Sequence, residues 1–195
     1  MIEFVFLHIP KTGGSSILRN LQSHYGEENV MHFERDDVIE LNENKQKISS
    51  VIRPNIKAIH GHFRHKEIKD IIKRDQPKVV TFFRKPDERV ISNFKWWKQT
   101  LRTDKTHSQV ARINESLSTY IEKKKTKNKI SYFLEGMKID DFFFIGFLES
   151  YRIDIQRLSK QLSWKVDEQF HEKNSARFNT QEKINRVTHL GLLAF

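Results

Sequence analysis

The chain is 195 residues long, 37% apolar and 11% aromatic, with seven glycines and four prolines, a composition that specifies a single globular domain over residues 1–195. It has no cysteine, which excludes disulfides and thiol-based metal sites or nucleophiles and fits a reducing, cytoplasmic setting. A net charge of +10, from 35 basic against 25 acidic residues, points to an anionic partner such as a nucleotide, nucleic acid, acidic glycan or anionic lipid surface, without choosing among them.

Ile2 to His8 (IEFVFLH) is an apolar run of strand length. It lacks a basic leader and a small-residue cleavage site, so a secretory signal is not expected, and no apolar stretch reaches membrane-spanning length. Gly14 to about His24 reads as a helix with Ile17, Leu18 and Leu21 on one stripe. Residues 27–55 are polar and weakly periodic, with a helix expected near Asp37 to Lys47. Ile56 to Phe63 (IKAIHGHF) is a second strand, His65 to Arg74 a helix burying Ile68, Ile71 and Ile72, and Lys78 to Phe83 (KVVTFF) a third strand.

Pro86 then opens a helix with Asp87 and Glu88 in its first turn, where the helix dipole favours acids. Val90, Phe94, Trp97 and Leu101 form its core stripe. Residues 102–130 are polar, with a helix expected near Ala111 to Glu122 and a lysine-rich end from Lys123 to Lys129 that reads as a solvated loop. Phe142 to Leu148 (FFFIGFL) is a fourth strand, Tyr151 to Leu162 an amphipathic helix, and one more helix is expected near Gln181 to Leu190. Apolar strands alternating with helices predict an α/β fold: three layers, with a central, mostly parallel sheet of four to five strands flanked by helices. In such folds ligands collect beyond the carboxyl ends of the strands, and the candidate chemistry lies there.

The first such segment is H-I-P-K-T-G-G-S-S, directly before a helix. Gly13 and Gly14 let backbone N–H groups approach an anion, and the helix start adds its dipole. Lys11 supplies a charge, and Thr12, Ser15 and Ser16 supply hydroxyls. The nucleoside-triphosphate loop, G-x-x-x-x-G-K-[ST], places its lysine after the last glycine, whereas Lys11 comes first, which disfavours ATP hydrolysis.

The stretch "HIPKTGGSS" resembles the 5′-phosphosulfate-binding loop of sulfotransferases that use 3′-phosphoadenosine 5′-phosphosulfate (PAPS), most of all the carbohydrate branch containing heparan sulfate 2-O-sulfotransferase. Such a donor carries a second phosphate on its ribose. R-K-P-D-E-R-V-I-S after the third strand places Arg84 eight residues before Ser92, with Arg89 on the same helical face as Ser92. A guanidinium with a hydroxyl suits a phosphate, and the pair resembles the 3′-phosphate motif of the same enzymes.

The second strand ends in His60-Gly61-His62, where alternation turns both imidazoles to one side. By residue type this is a general base, a metal half-site without an evident third ligand, or a structural pair. The resemblance implies the first, with His62 as base and His60 as its partner. It implies the P-loop-like version of the α/β fold, PAPS as donor with 3′,5′-ADP as product, no metal, and a hydroxyl acceptor that is a glycan. Lys11 then joins the two histidines as a catalytic group. Asn174, Ser175 and Arg177 fall where the family returns a loop to the nucleotide. Two other classes compete with this reading: a kinase-like nucleotide enzyme, and a non-catalytic polyanion-binding module using Lys123 to Lys129, Trp96 and Trp97.

Overall fold

The structure is a computed structural model, and it describes residues 1–103, 110–123 and 128–165. The expected helix near Gln181 to Leu190, the candidates Asn174, Ser175 and Arg177, and the centre of the lysine-rich stretch lie outside the described residues. The chain divides into two compact units, one of residues 1–83 and 130–171, the other of residues 84–129 and 172–195.

The first unit is built on five parallel strands: β1 (Phe4–Leu7), β2 (Val30–Phe33), β3 (Ala58–Gly61), β4 (Lys78–Phe83) and β5 (Phe144–Phe147), in the order β2-β3-β1-β4-β5. Between them run α1 (Gly14–Tyr25), α2 (Arg35–Glu43), the one-turn α3 (Ile48–Val51) and α4 (His65–Asp75). The strands are short, and the inner strands β1 and β3 are buried on both faces, as a parallel sheet covered by helices requires. On one face Val5, Leu7, Ile59, Phe33 and Val79 pack with Val38, Ile48, Ile68 and Ile71 of α2, α3 and α4. On the other, Phe4, Phe6, Ala58, Val80, Phe82 and Phe144 pack with Ile17 and Leu21 of α1 and with Ile155 and Leu158. The α/β three-layer architecture expected from the sequence is therefore present.

Register decides what stands above that second core. Phe6 pairs with His60, and His60 in turn with His32 of β2. Side chains alternate along each strand, so three neighbouring columns rise on one face: Phe4-Phe6-His8, Ala58-His60-His62 and Val30-His32-Glu34. Each column is apolar at its foot and ionisable at the carboxyl end.

In the second unit, α5 (Pro86–Thr103) and α6 (Leu117–Glu122) pack Val90, Trp97, Leu101, Tyr120 and Ile121 into a smaller core. Trp97, an aromatic that a nucleic-acid platform would need on the surface, is 8% exposed, and the Arg112 guanidinium lies 4.5 Å over its ring. Two further α-helices, α7 (Lys129–Leu134) and α8 (Tyr151–Leu162), flank β5 in the chain.

Phe6 joins the apolar foot of these columns to the histidine layer, because its fully buried ring stacks on His60 at 5.1 Å with the planes 8° apart. Truncation of such a ring costs about 3–5 kcal/mol. Phe6→Ala should lower the urea unfolding free energy by that amount, and a loss below about 1 kcal/mol would show that the stack does not support the sheet.

Candidate active site

The loop between β1 and α1 combines two backbone constraints. Gly13, the residue before α1, has φ +90°, and a Cβ there would stand 2.9 Å from the Cδ1 of Leu148. A Cβ on Gly14 would stand 2.2 Å from Nε2 of His8, inside the imidazole itself. Gly13 is therefore required by its left-handed backbone, and Gly14 by the packing of the His8 ring. Lys11 also takes a left-handed conformation, φ 72°, which is uncommon for a residue with a side chain and marks a tightly determined loop.

The hydroxyls of the loop divide by depth. Thr12 is fully buried and donates its Oγ1 hydrogen to the Ile9 carbonyl at 2.8 Å, stapling the loop from within. Ser15 is exposed, and Ser16 lies beside the buried Tyr151 hydroxyl, which burial pushes up to about 12 against the opposing effect of its hydrogen bonds. No acid occupies the first turn of α1, so nothing in the helix opposes an anion at its N-terminus.

Under this loop stands the histidine layer, and hydrogen-bond partners determine its tautomers. Nε2 of His60 is 3.0 Å from the Gly14 carbonyl, so it donates there and leaves Nδ1 as an acceptor. Nδ1 of His32 lies 2.8 Å from that nitrogen and 3.2 Å from the His60 carbonyl. Nε2 of His32 donates to the Glu34 carboxylate at 3.0 Å. A continuous chain thus runs from the first residue of α1 to a carboxylate beyond β2.

His62 belongs to a shallower level. Its Nδ1 donates to the His8 carbonyl at 2.7 Å, so the free lone pair is on Nε2, the nitrogen that faces Oε2 of Glu34 at 3.7 Å. Its side chain is 14% exposed, whereas the whole of His60 is 1% exposed. The sequence reading grouped the two as a pair. Both do face the same side of the sheet, but only His62 reaches solvent, and His60 supports the loop.

His8 stacks on His62 with ring centroids 4.1 Å apart, and its buried Nδ1 has no hydrogen-bond partner among the described residues. His8, His32 and Glu34 are absent from the sequence reading. The same two-residue alternation would have found His8 from Phe6, and His32 and Glu34 from Val30, had β2 been recognised.

Glu67 of α4 holds the rim of this site. Burial opposes its ionisation, but hydrogen bonds from Arg35 and Arg64 outweigh burial and bring it down to about 2. Arg35 donates to Glu67 at 2.7 and 3.1 Å and also to the His62 carbonyl at 3.2 Å, so the starts of α2 and α4 close on the same backbone. An open cavity of about 290 Å³ beside β2, lined in part by His32, Asp37 and Glu40, meets the histidine layer only at His32 and presents acids rather than bases. Among the described residues no group of three or more His, Asp or Glu side chains is arranged to hold a metal ion.

In the second unit Arg84 follows the last residue of β4 and pairs with Glu88 at 3.2 Å. Ser92 is half-buried on α5. Arg89, which the sequence places on the same helical face, is 4% exposed, and burial lowers its basicity.

A five-stranded parallel sheet flanked by helices, with a glycine- and lysine-bearing loop at the carboxyl end of its central strand, defines a three-layer α/β protein. More narrowly, the profile of the sulfotransferase family matches residues 2–190, and the chain belongs to that family of enzymes. Among the solved structures that share its fold are two sulfotransferases. The crystal structure of mouse sulfotransferase SULT7A1 complexed with PAP is 14% identical with a TM-score of 0.53, aligning 87% of this chain with 60% of that one. The sulfotransferase from Alicyclobacillus acidocaldarius is 12% identical with a TM-score of 0.53, aligning 97% of this chain with 91% of that one. This chain therefore spans 60% of the length of the mouse structure. No functionally curated protein matches it in sequence. Among the described residues no helix is long and apolar enough to cross a membrane.

The histidine layer makes stability pH-dependent. Burial, reinforced by neighbouring histidines, holds His8 and His60 well below the ordinary imidazole value, and burial also lowers His62 despite its bond to the His8 carbonyl. The unfolded chain takes up these protons near pH ~6.5 while the folded chain refuses them. The stabilisation is therefore complete above that pH and is lost progressively as pH falls below it. Urea unfolding free energies measured from pH 8 to pH 5 should decline through this window; a flat profile would contradict the buried, neutral state of His8 and His60.

Proposed function

We propose that this protein transfers a sulfuryl group from PAPS to a hydroxyl of a carbohydrate acceptor, with His62 as the general base. The observation that carries the reading is the state of His62: its Nδ1 proton is held by the His8 carbonyl, three residues before Lys11, and its Nε2 lone pair is left at the strand ends. A base so oriented serves a hydroxyl nucleophile near neutral pH.

The acceptor oxygen attacks sulfur as Nε2 of His62 takes its proton. The new O–S bond forms while the bond from sulfur to the bridging oxygen breaks, and that oxygen keeps the electron pair as 3′,5′-ADP departs. Lys11 and the backbone N–H groups of Gly13, Gly14, Ser15 and Ser16 are assigned to the 5′-phosphosulfate, where fixed positive charge meets the charge developing on the leaving group. Thr12 contributes through the main chain, since its hydroxyl is committed to Ile9. Arg84 and Ser92 are assigned to the 3′-phosphate. His60 acts by holding Gly14 in place. No metal is assigned, because Lys11 and the loop supply the positive field. The carbohydrate acceptor rests on the resemblance of "HIPKTGGSS" and "HGH" to the heparan sulfate 2-O-sulfotransferase branch.

His62→Ala should bind 3′,5′-ADP nearly as the native protein does while transfer falls by roughly 10²- to 10⁴-fold. Transfer within a few fold of native would remove the base assignment. For Arg84→Ala, titration calorimetry should give a loss of about tenfold or more for 3′,5′-ADP, with 5′-AMP nearly unaffected. Equal losses for the two nucleotides would place Arg84 elsewhere.

A further inference from the structure

We propose that Glu34 is a positioning residue for the reaction: its carboxylate, held by His32, faces Nε2 of His62 and stabilises the proton that this nitrogen takes from the acceptor. This rests on the reading of His62 as the base.

The two oxygens of Glu34 serve two imidazoles. Oε1 accepts from His32 at 3.0 Å, and Oε2 lies 3.7 Å from Nε2 of His62. The first contact is a hydrogen bond and the second is not. Its length is what a base with a free lone pair requires, since a carboxylate has no hydrogen to give an unprotonated nitrogen. Once Nε2 accepts the acceptor's proton, the ring becomes a cation beside an anion already in place. The interaction is thus weak before proton transfer and attractive after it, which is the differential that lowers a barrier.

Glu34 is 64% exposed by its side chain and would not hold this position unaided. The hydrogen bond to His32 supplies the constraint, and His32 is in turn fixed by Nδ1 and the carbonyl of His60. The backbone contributes as well, because the Glu34 N–H donates to Asp37 at 2.7 Å at the start of α2.

The other groups facing His62 leave this role to Glu34. From β1 comes the buried His8 ring, from β2 His32, and from α7 the uncharged Phe133 ring at 6.5 Å. Arg35, at the start of α2, donates to the His62 carbonyl, and its charge is balanced by Glu67. Burial depresses the basicity of His62, and the nearby Glu34 charge opposes that depression while His32 and Arg35 add to it. Among the described residues Glu34 is the anion that faces the ring, while Glu67 is taken up by Arg35 and Arg64.

The test is histidine-selective NMR titration of the full chain, native and Glu34→Gln, with the His62 signal assigned by its loss in His62→Gln. Glu34→Gln keeps the shape and removes the charge, and should lower the His62 midpoint by roughly half a pH unit to one pH unit, the size expected of a partly exposed pair at this distance. The acidic limb of kcat/KM should move the same way, with a lower kcat plateau and little change in 3′,5′-ADP binding. Glu34→Asp, which keeps the charge on a shorter stem, should shift the midpoint less. An unchanged His62 midpoint in Glu34→Gln overturns the proposal, even where His62-dependent transfer is intact. A lowered midpoint in a protein that transfers no sulfuryl group upholds the pairing and overturns only the reaction assigned to it.

Discussion

The hydrogen bond from Nε2 of His60 to the Gly14 carbonyl joins the middle of the sheet to the first residue of α1, and the arrangement of the site follows from it. The donor is a side chain on β3, the acceptor a main-chain group in the loop that leaves β1, and the two strands are paired in register. An apolar residue in place of His60 would fill the space over Phe6, yet would remove the donor that ties the start of α1 to β3. The Gly14 carbonyl would keep its bond within the helix, so the loss is that of one hydrogen bond, on the order of 0.5–1.5 kcal/mol, at the point where the loop must be held still. His8 completes the support from the neighbouring column, its ring occupying the volume that a side chain on Gly14 would need.

Depth then separates the roles of otherwise identical side chains. His60 and His62 are two residues apart, about 7 Å along an extended chain. The deeper ring is enclosed between Phe6 and the loop, so it acts as a fixed donor. The shallower one keeps a free nitrogen and a carboxylate nearby. The buried layer carries its own cost, since imidazoles held neutral below their ordinary value make the fold sensitive to acid. The net charge of +10 describes the protein as a whole, whereas the groups around His62 include two anions, Glu34 and Glu67.

Much of the architecture was legible because its signals are local. Apolar runs at 78–83 and 142–148, helical stripes such as Val90, Trp97 and Leu101, and the glycine-bearing loop after β1 each depend on neighbours in the chain. β2 escaped notice because Val-Met-His-Phe is four residues long, follows the polar segment Gly26 to Asn29, and is an edge strand with less apolar surface to bury. Missing that strand also removed His32 and Glu34 from view. The expected helix at Asp37 to Lys47 exists, but it begins at Arg35 and ends at Glu43, because the capping interaction at Glu34 sets its start.

By itself the amino-acid sequence determined four of the five strands and most of the helices, the glycine-bearing loop at Lys11 to Ser16, and the alternation that turns His60 and His62 to one side. It did so because helix stripes, strand alternation and loop chemistry are properties of adjacent residues. Only the tertiary structure decided which histidine is a support and which keeps a free nitrogen, and which carboxylate stands beside it. Those distinctions depend on pairing between β2, β3 and β1, which brings residues 8, 32, 34, 60 and 62 to one end of the sheet. Strand register is set by the packing of whole columns on a shared core, and no spacing within a single segment encodes it.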